Sequence, residues 1–138
     1  MRPKKRILLW SWDRGPMPAD DCKFVLETRM YVSVARWHAG VAELSRVVRE
    51  ASWDLVIVQH TGEVQATRRA IKAVHAAGLR CLAIELAAGC PDRADETLPL
   101  GGKNIGLIES VARLSARKRG PRKGVSRVGV VAVAEGVA

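Results

Sequence analysis

Ala51-Ser52-Trp53-Asp54-Leu55-Val56-Ile57-Val58-Gln59-His60 is the stretch from which the rest of the chain can be read. Four aliphatic residues follow an aspartate with no polar residue between them. So short an apolar run, without alternation, fits a strand buried on both faces, as in a parallel sheet covered by helices. Ile7-Leu8-Leu9-Trp10 before it and Cys81-Leu82-Ala83-Ile84 after it have the same character. Helix-period segments separate the three runs, giving the order of a doubly wound α/β domain. In such domains chemistry gathers where the strands end. Those ends carry Ser11-Trp12, Gln59-His60 and Glu85.

Periodicity supplies the remaining elements. Pro18-Ala19-Asp20-Asp21 has helix-start composition, and Cys22, Val25, Leu26 and Met30 repeat at helical spacing, which predicts a first helix over 19–29. The alternation from Tyr31 to Ala35 suits a second strand near the sheet edge. Val41, Leu44, Val47, Val48 and Ala51 form one stripe of a second helix. A third opens at Thr61-Gly62-Glu63, turns Val64, Ala70, Ile71, Val74 and Ala77 inward, and stops at Gly78. The fourth strand is read over 79–86 and a brief fifth over 96–100. Between them Gly89 and Pro91 leave room for a short helix at most. A last helix is read over 104–118, before Gly120-Pro121 breaks the pattern.

The 138 residues suit a single core. No run approaches the roughly 18 apolar residues of a membrane span. Asp13 and Arg14 cut the apolar stretch after the basic amino terminus too short for a secretory signal. The expectation is a cytoplasmic protein that does not enter membranes. Cys22, Cys81 and Cys90, with His38, His60 and His75, match no ligand spacing, so neither metal nor cofactor is expected. Nor do the glycines form a phosphate-binding loop. The net charge of +9 lies in the ends: Arg2, Lys4, Lys5 and Arg6 at one, and Arg117, Lys118, Arg119, Arg122, Lys123 and Arg127 against Glu135 at the other. Residues 7–116 carry equal numbers of acids and bases. In an α/β domain both ends come to the amino edge of the sheet, where a basic patch could contact phosphates.

From Lys5 to about Lys118 the chain resembles a receiver domain of the bacterial response-regulator family. Arg6-Ile7-Leu8-Leu9-Trp10 is similar to that family's opening strand, Ala51 to Val58 to its third, and Ala94-Asp95-Glu96-Thr97-Leu98-Pro99-Leu100 to its approach to the last strand. The resemblance implies a flavodoxin-like sheet of five parallel strands in the order 2-1-3-4-5 with helices on both faces, of which Gly89 and Pro91 shorten the fourth. The composition divides the chain into the receiver-like body over 1–118 and a basic, then apolar, tail over 119–138. Family members hold Mg²⁺ with two acids after the first strand and accept phosphate on an aspartate ending the third. They follow the fourth strand with Thr or Ser and the fifth with Lys.

By position, the acidic pair falls on Ser11 and Trp12, with Asp13 one place late. The phospho-acceptor falls on Gln59 beside His60, the hydroxyl on Glu85, and the lysine at or near Leu100. Every functional position departs from the pattern, so the expected protein is a degenerate receiver and not an enzyme. His60 with Glu85 and Asp13 is the remaining candidate for acid/base chemistry, but no nucleophile accompanies it. A protein partner or a second copy is expected through the last helix and the adjoining edge, with Ile105, Leu107, Val111 and Leu114 as contacts and Ile108 facing the sheet. Trp10 and Trp53 are expected in the core, while Trp12 and Trp37 lie near loop ends where a ring can anchor a partner. The alternative function is that of a small nucleic-acid-associated regulator, binding weakly and without sequence preference through the two basic ends.

Overall fold

Leu55 and Ile57 point into one core and Val56 and Val58 into another, because successive strand residues face opposite sides. All four are fully buried. In the computed structural model residues 3–12, 18–38, 40–99 and 104–116 are described. Five parallel strands lie in the order β2-β1-β3-β4-β5. They are β1 (Lys5–Ser11), β2 (Val32–His38), β3 (Leu55–His60), β4 (Cys81–Glu85) and β5 (Glu96–Leu98). The helices are α1 (Pro18–Arg29), α2 (Val41–Glu50), α3 (Val64–Ala76) and α4 (Asn104–Ser115). This is the flavodoxin-like sheet implied by the sequence resemblance.

One core joins Ile7, Leu9, Leu55, Ile57 and Leu82 to Cys22 and Leu26 of α1 and to Leu107, Val111 and Leu114 of α4. The other joins Leu8, Trp10, Val56 and Val58 to Leu44, Val47 and Val48 of α2 and to Ala70, Ile71 and Val74 of α3. Trp53 belongs to this second core, and its indole N–H donates to the Val47 carbonyl at 3.1 Å. Asp54 aligns β1 with β3: its carboxylate accepts from the Arg6 amide at 2.8 Å, and its own amide donates to the Arg6 carbonyl.

Three boundaries differ from the sequence reading. β2 continues to His38 because it pairs with β1 residue for residue to Ser11. β4 starts at Cys81, since Gly78 and Leu79 still donate to carbonyls of the last turn of α3. β5 ends at Leu98, ahead of Pro99, which has no N–H to continue a ladder.

Two larger corrections concern the second half. No helix, not even a shortened one, forms between β4 and β5; residues 86–95 cross in turns. Gly89 adopts φ +91 there, a conformation that L side chains rarely take. The last helix, α4, also sits the other way round. Leu107, Val111 and Leu114 form its inward stripe at i, i+4 and i+7, while Ile108 is half-buried and Ala112 exposed. Leu107, Val111 and Leu114 are therefore core residues and not an interface. The side chain of Ile105 and the tail over 119–138 lie outside the described residues.

β5 is only three residues long, and side chains hold it to α4. Glu96 accepts from Arg113 Nε at 2.8 Å and Nη2 at 2.7 Å, and from Ser110 Oγ at 2.9 Å. This forked pairing holds the Glu96 carboxyl below its usual range, with the Ser110 hydrogen bond adding to the effect.

Leu107→Glu should abolish cooperative thermal unfolding, since burying an unpaired carboxylate there costs about 4 kcal/mol or more. Ile108→Glu should leave the melt nearly unchanged. A depressed carboxyl pKa stabilises the fold above the ordinary glutamate range, and that stability is lost as pH falls through the lowered value. The melting temperature of the wild type should accordingly fall more between pH 5 and pH 3 than that of Glu96→Gln, as followed by circular dichroism (pH limits from the reference glutamate value of about 4.3).

Candidate functional site at the carboxyl edge of the sheet

Parallel pairing brings the strand-end residues together. Ser11 lies opposite Gln59 and His38, Gln59 opposite Ile84, and His60 opposite Glu85. Ser11 and Gln59 are buried, whereas Trp12 is exposed. Asp13 lies outside the described residues. Gln59 thus occupies the middle of the edge. Its carboxamide has no ionised oxygen with which to form an acyl phosphate. Among the described residues no three His, Cys, Asp or Glu side chains converge as a metal site would require.

His60 is fully buried, and both of its ring nitrogens are engaged. Nε2 lies 3.3 Å from the Ala88 carbonyl and Nδ1 lies 2.6 Å from Thr67 Oγ1. A carbonyl can only accept, so Nε2 carries a proton towards Ala88, and Nδ1 shares a hydrogen bond with the Thr67 hydroxyl, which can donate or accept. The His60 carbonyl takes two further bonds, from the Leu86 amide at 3.0 Å and the Ala87 amide at 3.1 Å. His60 therefore ties β3, α3 and the β4–β5 connection together. A ring so placed offers no free nitrogen, which corrects its reading as an acid/base candidate.

Glu85 is also drawn into the connection, accepting from the Cys90 amide at 3.3 Å. At the far end Asp95 does the same for the start of β4. Its Oδ2 accepts from the Cys81 amide at 2.8 Å and meets His75 Nε2 at 3.0 Å, while its own amide donates to the Cys81 carbonyl at 2.9 Å. The sequence reading gave Thr67, His75 and Asp95 no part in this edge. Thr67 and His75 could have been placed on the third helix by periodicity, but their partners are far off in sequence.

Neither Cys22 nor Cys90 is held in the reactive thiolate form. Burial pushes Cys22 up to about 12, and desolvation, helped by Glu85 and Asp92, pushes Cys90 up to about 11. At the amino edge, Arg6 stacks over Trp53 at 4.6 Å and Lys4 lies over Tyr31 at 5.6 Å, so part of the expected basic patch makes contacts within the fold. Lys5 is half-buried on β1. Arg117, Lys118, Arg119, Arg122 and Lys123 lie outside the described residues.

His60→Ala should destabilise the protein by about 3 kcal/mol, because it opens a cavity and leaves both Thr67 Oγ1 and the Ala88 carbonyl short of a partner. Urea denaturation checks this; a loss under 1 kcal/mol would remove the structural role assigned to the ring (scale from the typical cost of an unmade buried hydrogen bond, about 1–3 kcal/mol).

The sequence matches no protein-family model and no curated protein. Solved structures do match. The signal receiver domain assigned to a NarL response regulator from Mycobacterium tuberculosis is 15% identical, with a TM-score of 0.66 over 83% of this chain and 98% of that one. A LuxR-family two-component response regulator from Aurantimonas sp. is 24% identical, with a TM-score of 0.62 over 83% and 88%. A protein assigned to pilus assembly (CpaE) from Burkholderia thailandensis is 14% identical, with a TM-score of 0.59 over 82% and 99%. With the strand order and the two-faced helix packing, these likenesses show that the chain has the fold of the response-regulator receiver domain.

Proposed function

We propose that the chain is a degenerate receiver that takes part in signalling through contacts with other proteins, without phosphoryl transfer and without catalysing a reaction. One observation carries this reading: the edge where a receiver's acceptor would stand holds the amide Gln59, flanked by a fully buried His60 whose ring is committed to Thr67 and Ala88. An acceptor needs an ionised oxygen or a free imidazole nitrogen open to solvent, and neither residue supplies one. Ser11 and Trp12, at the positions of the acidic pair, offer no carboxylate to a hard cation.

The location proposed is the cytoplasm. Cys22, Cys81 and Cys90 are all free thiols, which suits a reducing compartment. Among the described residues no helix is long and apolar enough to cross a membrane. Since α4 uses its apolar stripe in the core, the partner surface is better sought elsewhere on the domain.

Incubation with acetyl phosphate and Mg²⁺ should leave the intact mass unchanged, and beryllofluoride should not raise the melting temperature. A phosphate mapped by peptide mass spectrometry to residues 54–61 would overturn the proposal.

A further inference from the structure

A right-handed connection from β4 to β5 passes over the sheet face that α2 and α3 cover. Because residues 86–95 cross in turns, no helix lies alongside α3 there, and a cleft of about 580 Å³ remains. Arg68, Ile71, Lys72 and His75 of α3 form one wall, and Arg93 and Asp95 of the connection form the other.

The charge in this cleft is unbalanced. Among the described residues Lys23 pairs with Glu27, Arg46 with Glu43 and Glu50, and Arg113 with Glu96. α3 contains no acidic residue from Val64 to Ala76. Arg68, Lys72 and Arg93 are exposed and have no carboxylate within 4.0 Å among the described residues. Arg68 reaches no further than Gln65, at 3.3 Å. The one carboxylate in the cleft, Asp95, is bound to the Cys81 amide, faces His75 and lies 3.9 Å from Arg80. Like charges at i and i+4, such as Arg68 and Lys72, repel each other on a helix. An anion lying between them would relieve that repulsion.

The shape selects the kind of anion. The cations are flexible side chains along an open groove, with Ile71 buried at its floor, and no glycine-rich turn presents amides as a small phosphate site would. Arg68 and Lys72 are about 6 Å apart along the helix axis. Side chains on one face of an extended chain recur at about 6.8 Å. Alternate acidic residues of an extended segment would therefore meet Arg68 and Lys72 in turn, with Arg93 opposite.

From this juxtaposition we infer that the cleft between α3 and the β4–β5 connection binds an extended acidic segment of a protein partner, with Arg68, Lys72 and Arg93 as its anchors. The inference deepens the proposed function by naming the surface and the chemistry of the partner. It depends on that reading only in taking the contact to be a signalling one.

The test is fluorescence anisotropy with the full chain and a labelled peptide that alternates glutamate and serine. Lys72→Glu/Arg93→Glu should weaken binding by about tenfold or more, whereas Arg29→Glu/Arg49→Glu, with the same change in net charge, should weaken it by less than about threefold. All four side chains are exposed, so thermal melts should show both double variants folded. Equal weakening by the two pairs would overturn the inference by showing attraction to overall charge alone. Absence of wild-type binding at about 0.1 M salt, where the screening length is still about 10 Å, would overturn it as well. So would tighter binding of a single-stranded oligonucleotide that the cleft variant also loses, which would turn the surface over to nucleic acid. Phosphate incorporation at residues 54–61 would defeat the proposed function alone, because peptide binding at the cleft is read separately.

Discussion

The imidazole of His60, closed on Thr67 and Ala88, is the interaction on which the unusual half of this domain depends. Parallel neighbours normally need a dozen or more residues between them, most often with a helix to satisfy the backbone in transit. Here residues 86–95 make the passage without one. Several of their backbone groups are held by specific partners instead. The His60 carbonyl takes two amides at the start, its ring takes a carbonyl next, Glu85 takes the Cys90 amide, and Asp95 closes the path on Cys81. Burying a polar ring is tolerable because each nitrogen has a partner. The same arrangement removes that ring from any chemistry with solvent.

Strand identity and order could be read from sequence because the signal is local. Ile7 to Trp10, Leu55 to Val58 and Cys81 to Ala83 are apolar without alternation, and a chain of this size has few ways to bury them other than between two helical layers. The strand-end residues were equally legible, since position along a strand determines which edge a residue reaches. The face of the last helix was not. Its apolar residues fill two adjacent stripes, Ile105 with Ile108 and Leu107 with Val111 and Leu114, and sequence spacing treats them alike. The choice between them is made by Leu82, Ile57 and the α1 residues that complete the same core.

The bonds that replace the fourth helix were illegible for a different reason. His60 to Ala88 and His75 to Asp95 span 28 and 20 positions, and no local pattern announces such a pair. Gly89 and Pro91 indicated that the segment would not be a regular helix, but not that it could dispense with one. The cations of α3 were similarly hidden. Counted over residues 7–116 the charges cancel, and only the placement of the acids in space leaves Arg68, Lys72 and Arg93 without counterparts.

The brevity of β5 has a consequence for association of the unwelcome kind. Among the described residues a three-residue strand is all that pairs with the outer main-chain edge of β4, and behind that edge stand Leu82 and Ala83, both fully buried. If β5 and α4 detach together, β4 becomes a bare, apolar edge of the sort that recruits strands from other chains. The opposite margin is better guarded, since β2 shows Ser33, Ala35 and Arg36 to solvent. The forked contact of Glu96 with Arg113 joins β5 to α4, so the two would travel as one unit in domain swapping, in which one molecule's final strand and helix complete its neighbour's sheet.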